Sequence, residues 1–260
     1  MLWREQAAVR VDAMGTVISV TSGKGGTGKS TFTVNCGAAL ALSGKTVLLV
    51  DADAGLRSLD IMLRVSDQVV YDLADILQGR CEPAKAIVKT PWNRLSMIPA
   101  PAADEETGCA DALQKLCRGL CQYYDFILLD SPAGMGTWAK ATAAAADLAI
   151  LVVTPDPVCI RDADRMAGRV LSGLVPEIRL VINRVQPQLL RKKLDGGLDV
   201  IIDAAAVQLL GVVPEDRRIA LAAYDGDPIV HTPDAHGGAA EAYCNIARRL
   251  LGEDIPLMHF

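Results

Sequence analysis

Aromatic residues are scarce in this chain: three Phe, five Tyr and three Trp among 260 residues, or 4%. That scarcity argues against the ring platforms on which single-stranded nucleic acids stack. Positive charge is in deficit as well. Twenty-six Lys and Arg face 31 Asp and Glu, a formal charge of −5, whereas proteins that live on phosphate backbones are usually basic. Nucleic acid is therefore not the expected partner. No run of 18 or more residues is continuously apolar, since the long stretch around Ala141–Pro155 is broken by Asp147. The N-terminus carries Arg4, Glu5, Arg10 and Asp12, which leaves no apolar core for a signal peptide. Seven cysteines is an odd number without scaffold density, so the expected setting is a reduced cytoplasm.

What remains is abundant apolar mass. Apolar residues make up 51% of the chain and mean hydropathy is +0.25, enough to bury a large core and to exclude disorder as the main state. Short β-branched runs (Val17–Val20, Thr46–Val50, Phe126–Leu129, Leu148–Val153, Ile178–Ile182, Leu210–Val213) alternate with helical patterns. The helical stretches are Lys29–Ser43, Glu105–Tyr123, Thr137–Ala146, Val158–Leu174, Asp199–Val207 and Ala235–Leu251. Such alternation reads as βαβ units: an α/β protein with a mostly parallel sheet and helices on both faces, three layers in one domain. The expected boundaries are an extension over 1–14, the domain over 15–252 and a short tail over 253–260. Met14 directly precedes the first strand, so residues 1–14 read equally as an ordered extension or as lying upstream of the true start. Residues 186–197, with Arg191-Lys192-Lys193, read as an exposed loop.

The sharpest motif is Gly23-Lys24-Gly25-Gly26-Thr27-Gly28-Lys29-Ser30, which fits G-x-x-x-x-G-K-[ST] between a strand and a helix. Glycines let backbone N–H groups curl around phosphate oxygens, and the helix N-terminus adds its positive dipole end. Lys29 is expected on the β- and γ-phosphates, Ser30 on Mg²⁺, with Thr31 counted among the nucleotide contacts. Phe126-Ile127-Leu128-Leu129-Asp130 is an apolar strand ending in an acid, which suits a carboxylate holding Mg²⁺ mainly through water. Pro132, Ala133 and Gly134 then form a switch turn near the γ-phosphate. Asp51 and Asp53 leave the end of the second strand at i and i+2. Asp51 is placed to support the metal shell or to hold a turn, and Asp53 to orient a water.

These residues resemble the MinD/ParA family of ATPases, whose phosphate loop carries a second lysine after its first glycine, here Lys24. Asp51-x-Asp53, Asp130-Ser131-Pro132-Ala133-Gly134, Val181-Ile182-Asn183-Arg184 and Gly211-Val212-Val213-Pro214-Glu215-Asp216 share in the likeness. A narrower likeness, to the division-site branch of the family, is carried by Gly55–Asp60, Val70-Tyr71-Asp72, Arg161–Arg165 and Arg248–Glu253. The match runs from about Thr16 to Pro256. The resemblance implies a P-loop NTPase that uses ATP and Mg²⁺ and forms a homodimer on ATP, with Lys24 crossing to the partner's phosphates and Asp53 positioning the attacking water. Lys24, Lys29 and Asp53 are thus the expected catalytic set, while Asn183, Pro214 and Glu215 frame the adenine. The implied role is spatial regulation of cell division with a Min-type inhibitor or activator as partner. A ParA-type partition or flagellar-number ATPase and a metal-cluster carrier are the alternatives.

The chain departs from the pattern in three places. Family members of the division-site branch end in a basic amphipathic helix. Here Gly252–Phe260 is acidic, is broken by Pro256 and lacks Lys and Arg, so membrane contact is expected through a partner and Leu257, Met258 and Phe260 are read as a frayed end. Ser58 stands where the family has asparagine, and the Thr154-Pro155-Asp156-Pro157 turn is altered. Cys117 and Cys121 share a helix face and read as buried thiols, and the three histidines show no metal spacing.

Overall fold

The computed structural model describes residues 14–54, 57–102, 109–186, 188 and 198–258. Residues 1–13, Gly55, Leu56, the basic loop at 191–193 and residues 259–260 lie outside them. The chain begins with β1 (Thr16–Thr21), α1 (Lys29–Leu42), β2 (Val47–Asp51) and α2 (Ser58–Met62). Two short helices, α3 (Leu73–Leu77) and α4 (Pro83–Ala86), lead to β3 (Val88–Lys89) and β4 (Leu95–Ile98). Then come α5 (Cys109–Leu120), β5 (Phe126–Asp130), α6 (Thr137–Ala145), β6 (Leu148–Val153), α7 (Pro157–Arg165) and β7 (Glu177–Val185). The last elements are α8 (Asp199–Ala205), β8 (Gln208–Pro214), α9 (Arg217–Asp225) and α10 (Gly238–Leu250).

The strands form one eight-stranded sheet in the order β3-β4-β2-β5-β1-β6-β7-β8. Every pairing is parallel except β3 with β4. A parallel sheet must be covered on both faces, and the six strand runs expected from β-branched density all appear in it. Their residues alternate between two cores. Ile18, Val20, Leu49, Leu128 and Ile150 pack toward α1 and α10. Val17, Leu48, Val50, Ile127 and Leu151 pack toward α5, α6 and α7. Because β1 lies between β5 and β6, the chain runs to opposite sides of it, and a crevice opens at the carboxyl ends of the central strands.

Some elements were not expected. Leu95–Ile98 has no β-branched run, yet it pairs in parallel with β2 as Val47 with Leu95 through Val50 with Ile98. Helices α2, α3 and α4 are each five residues or fewer, too short for a helical period to register. α9 was also missed, although Asp216 caps its start and Gly226, at φ 76°, ends it. The helix expected over 158–174 ends at Arg165. The backbone then widens into a π-helical turn over Met166–Leu171, and Gly173 at φ 84° stops it.

The tail corrects the expectation of a frayed end as far as Met258. Arg249, buried at 8% exposure, donates through Nε to Ile255 O (3.0 Å), through Nη1 to Leu210 O (3.0 Å) and through Nη2 to Pro256 O (2.8 Å). Leu257 packs against one core and Met258 against the other. The tail thus straddles the edge strand β8, covering an edge that would otherwise present unpaired backbone. Among the described residues no helix is long and apolar enough to cross a membrane.

Candidate nucleotide site

Residues 22–28 bridge the end of β1 and the start of α1. Gly26 at φ 79° and Gly28 at φ 93° take left-handed backbone that other residues adopt only with strain. At Gly28 a Cβ would also lie 2.4 Å from Asn183 Nδ2, so both conformation and space require glycine. That same Nδ2 donates to Thr27 O at 2.8 Å, and Ser22 Oγ donates to Lys24 O at 2.7 Å. The loop is therefore held in shape by its own base and by a side chain from β7. At Gly23 a Cβ would meet Asp162 Cβ at 2.8 Å, which brings α7 against the loop.

Asp51 and Asp130 sit side by side, in register at the carboxyl ends of β2 and β5, and both are fully buried. Asp51 Oδ1 accepts from Asp53 N (3.0 Å) and Oδ2 from Leu59 N (3.1 Å), so Asp51 organises the turn between β2 and α2. Asp130 Oδ1 accepts from Thr33 Oγ1 at 3.2 Å, and Thr33 also bonds Lys29 O at 3.0 Å. Asp130 Oδ2 is buried with no protein partner. Burial pushes both carboxyls above the usual carboxylate range. For Asp51 the neighbouring Asp130 adds to the push, and for Asp130 the Ser30 hydroxyl and the Lys29 ammonium pull back. Two crowded anions, one with an unused oxygen beside a serine hydroxyl, form the hard oxygen donor set that suits Mg²⁺. Asp53, half-buried, lies within electrostatic reach of both.

Lys24 Nζ lies 3.7 Å from Asp156 Oδ1, with the two side chains 48% and 39% exposed. Asp156 caps α7, accepting from Cys159 N (3.0 Å) and Thr154 Oγ1 (2.6 Å). Although burial opposes it, these bonds and Lys24 hold its carboxyl at about 2. The altered turn at Thr154–Pro157 therefore presents an anion to the extra lysine. The switch turn is tied to the phosphate loop too: Ser131 N donates to Val20 O (3.1 Å), and Gly134 N, at φ 88°, to Ser22 O (3.0 Å).

A cavity of about 370 Å³ opens beside the loop. Thr31, Asn183, Pro214 and Glu215, all named from the sequence, line it together with Gly28. Asn183 faces it while committed to Thr27, so it also holds the loop. Arg184, Ile219 and Ala220 line it as well and were not singled out. Asp216 is occupied by Arg218, whose guanidinium holds it at about 2 while it caps α9. Thr33 is the other functional position missed; its only sequence signal is lying one helical turn after Lys29. Cys117 and Cys121 are buried thiols as expected, Cys117 pushed by burial to about 12. Among the described residues no group of three His, Cys, Asp or Glu could hold a metal.

A family model described as the CobQ/CobB/MinD/ParA nucleotide binding domain matches residues 18–229. The septum site-determining protein MinD of Bacillus subtilis is 39% identical over 248 residues, covering 94% of this chain and 92% of that protein. Among solved structures, the MinC:MinD cell division protein complex of Aquifex aeolicus has a TM-score of 0.85 at 37% identity, covering 95% of this chain and 99% of that one. MinD of Pyrococcus horikoshii complexed with Mg-ADP has a TM-score of 0.78 at 32% identity, covering 91% and 96%.

Proposed function

From the premise that the chain belongs to the CobQ/CobB/MinD/ParA nucleotide-binding family, among its MinD septum site-determining members, we propose how its residues run an ATP-driven switch. It is an Mg²⁺-dependent ATPase of septum site selection. The observation that carries the assignment of roles is the meeting of the doubled-lysine loop with the buried Asp51–Asp130 pair, one oxygen of which has no protein partner.

Backbone N–H groups of residues 25–30 bind the phosphate oxygens, and Lys29 neutralises the β- and γ-phosphates. Ser30 and Asp130 hold the magnesium site, with Thr33 fixing Asp130 and Asp51 fixing the turn that carries Asp53. Magnesium, when bound, supplies charge neutralisation at the phosphates. Asp53 orients the water that attacks the γ-phosphorus, and the bond to the β-phosphate oxygen breaks. Asn183, Pro214 and Glu215 frame the adenine beside Thr31. Pro132–Gly134, tied to Ser22, report the γ-phosphate to the loop.

Lys24 leaves Asp156 and crosses to the phosphates of a second copy, so ATP sits between two subunits. Its support is the half-exposed, loosely held pair with Asp156: an ion pair this wet is worth roughly 0–1 kcal/mol and is readily exchanged for a phosphate. The partner reading the ATP state is a Min-type division protein, supported by the likeness to the MinC:MinD complex. Gel filtration with ATP, set beside phosphate release, tests the roles. Lys24→Ala is expected to bind nucleotide yet stay monomeric, and Asp53→Ala to dimerise yet stall. An unchanged dimer in the first variant, or normal turnover in the second, removes the role in question.

A further inference from the structure

β7 breaks its own alternation beside the nucleotide cavity. It pairs with β8 as Ile182 with Val212 and next as Val185 with Pro214, so Asn183 and Arg184 together stand opposite the single residue Val213. Ile182 and Val185 pack in the same core, which strict alternation over three residues forbids. An extra residue of this kind bends a strand and re-aims a side chain, often next to an active site. Here it turns two side chains to the nucleotide side. Asn183 commits its amide to Thr27 O, while Arg184 lines the cavity of about 370 Å³.

Arg184 holds φ 55°, in the left-handed region that a non-glycine residue enters only with strain. Among the described residues five non-glycines have positive φ, and Arg184 is the one that lines this cavity. The conformation is enforced from both sides, by the Asn183 bond to the loop and by Glu215 N donating to Val185 O at 2.9 Å. Enforced strain gathers at ligand sites, where it positions a group in advance. The group positioned here is a guanidinium. Arg184 is exposed, and no hydrogen bond or ion pair joins its side chain to the described residues. Its Nε would lie 3.9 Å from a Cβ at Gly28, so it stands at the seam between the phosphate loop and the apolar lining of Pro214, Ile219 and Ala220. The loop N–H groups and Lys29 serve the phosphates, which leaves this cation to the base.

Resting on the nucleotide role proposed for this site, we infer that Arg184 recognises the base, its planar guanidinium lying over a face of the adenine ring. A guanidinium is weakly hydrated and is attracted to a π face, and a pre-set backbone lowers the ordering cost of the contact. Arg184 thus reads a flat aromatic base rather than a phosphate charge.

Calorimetry with Mg-ADP, set beside competition by Mg-pyrophosphate against a fluorescent ADP analogue, separates base from phosphate. Arg184→Ala is expected to weaken ADP binding about fivefold and to leave pyrophosphate unchanged. Arg184→Lys keeps the charge without the plane and is expected to lose nearly as much. Arg184→Gly relieves the left-handed backbone, so its urea midpoint is expected to be no lower than the parent's while ADP still weakens. Pyrophosphate weakened in step with ADP, or full affinity in the lysine variant, overturns the inference in favour of a phosphate contact. A lowered midpoint in the glycine variant overturns it in favour of a structural role. Unchanged ADP affinity in all three variants overturns the inference and leaves the ATPase assignment standing. A parent that binds no ADP overturns the nucleotide role itself, and the inference with it.

Discussion

Charge is buried in two regions of this domain, and the two burials end differently. At the β8 edge, Arg249 is 8% exposed, and its guanidinium finds the carbonyls of Leu210, Ile255 and Pro256. Burial still lowers its pKa below the ordinary arginine value, but its donors have acceptors. At the carboxyl ends of β2 and β5, two carboxylates are buried against each other, and Asp130 Oδ2 has no protein partner. Leaving a buried polar atom unmatched typically costs about 1–3 kcal/mol, more for an ion. The first arrangement is complete within the fold. The second leaves an anionic oxygen unmatched beside Lys29 and Ser30, where the magnesium site is proposed.

The comparison can be broken or sharpened by substitution. The largest effect is expected at the site: Lys29→Ala should lower ATP turnover at least about 100-fold, the scale for losing a charge stabiliser of the transition state. Phosphate release measures it, and a loss of only a few fold would remove Lys29 from the phosphates. Arg249→Met should destabilise the fold by about 2 kcal/mol, because three carbonyls lose charge-assisted bonds. Urea unfolding measures that, while nucleotide affinity should stay unchanged; a parallel loss of affinity would erase the distinction between the two regions.

Asp130→Asn should do the opposite. Removing one of two crowded anions should raise the stability of the nucleotide-free protein by about 1 kcal/mol. The thermal shift produced by Mg²⁺ and nucleotide should shrink at the same time. A variant destabilised without ligand would show that the pair is structural rather than poised. The smallest effect is expected at Asp156, whose carboxyl is held at about 2. A depressed acid contributes stability above its unfolded value and loses it as pH falls through the folded value, so the contribution should fade between about pH 4 and 2. Asp156→Asn keeps the cap of α7 and should abolish only that acid-dependent part, below about 1 kcal/mol for so exposed a pair. Acid titration of the two proteins checks it; identical profiles would show that the bonds from Thr154 and Cys159, with Lys24 beside them, do not hold the Asp156 carboxyl down in solution.

Much of the nucleotide loop was legible because its demands are local. Glycines that allow left-handed backbone, a lysine and a serine at a helix start, and an acid ending an apolar strand are read directly along the chain. The six long strands were legible for a related reason, since a sheet buried on both faces writes itself as unbroken β-branched runs. Leu95–Ile98 has no such signature and is a strand because β2 offers it an edge. Thr33 looks like any helix residue until β5 brings Asp130 to its hydroxyl. Asn183 was expected at the adenine, and only the packing of β7 on the loop revealed its bond to Thr27. The tail was read as frayed because the edge of β8 that it covers lies about forty residues upstream, and only the fold brings it and the buried Arg249 together.

By itself, then, the sequence determined the two-faced parallel sheet, the phosphate loop and the identity of the acids around it. These follow from backbone sterics, hydrophobic periodicity and chemistry carried within a few residues. The tertiary structure alone decided which of those acids is matched and which is left over, that Lys24 rests on Asp156, and that the tail closes an edge. Each of those depends on groups far apart in the chain being brought together, and which contacts form and how much water they exclude are properties of the assembled fold rather than of any segment.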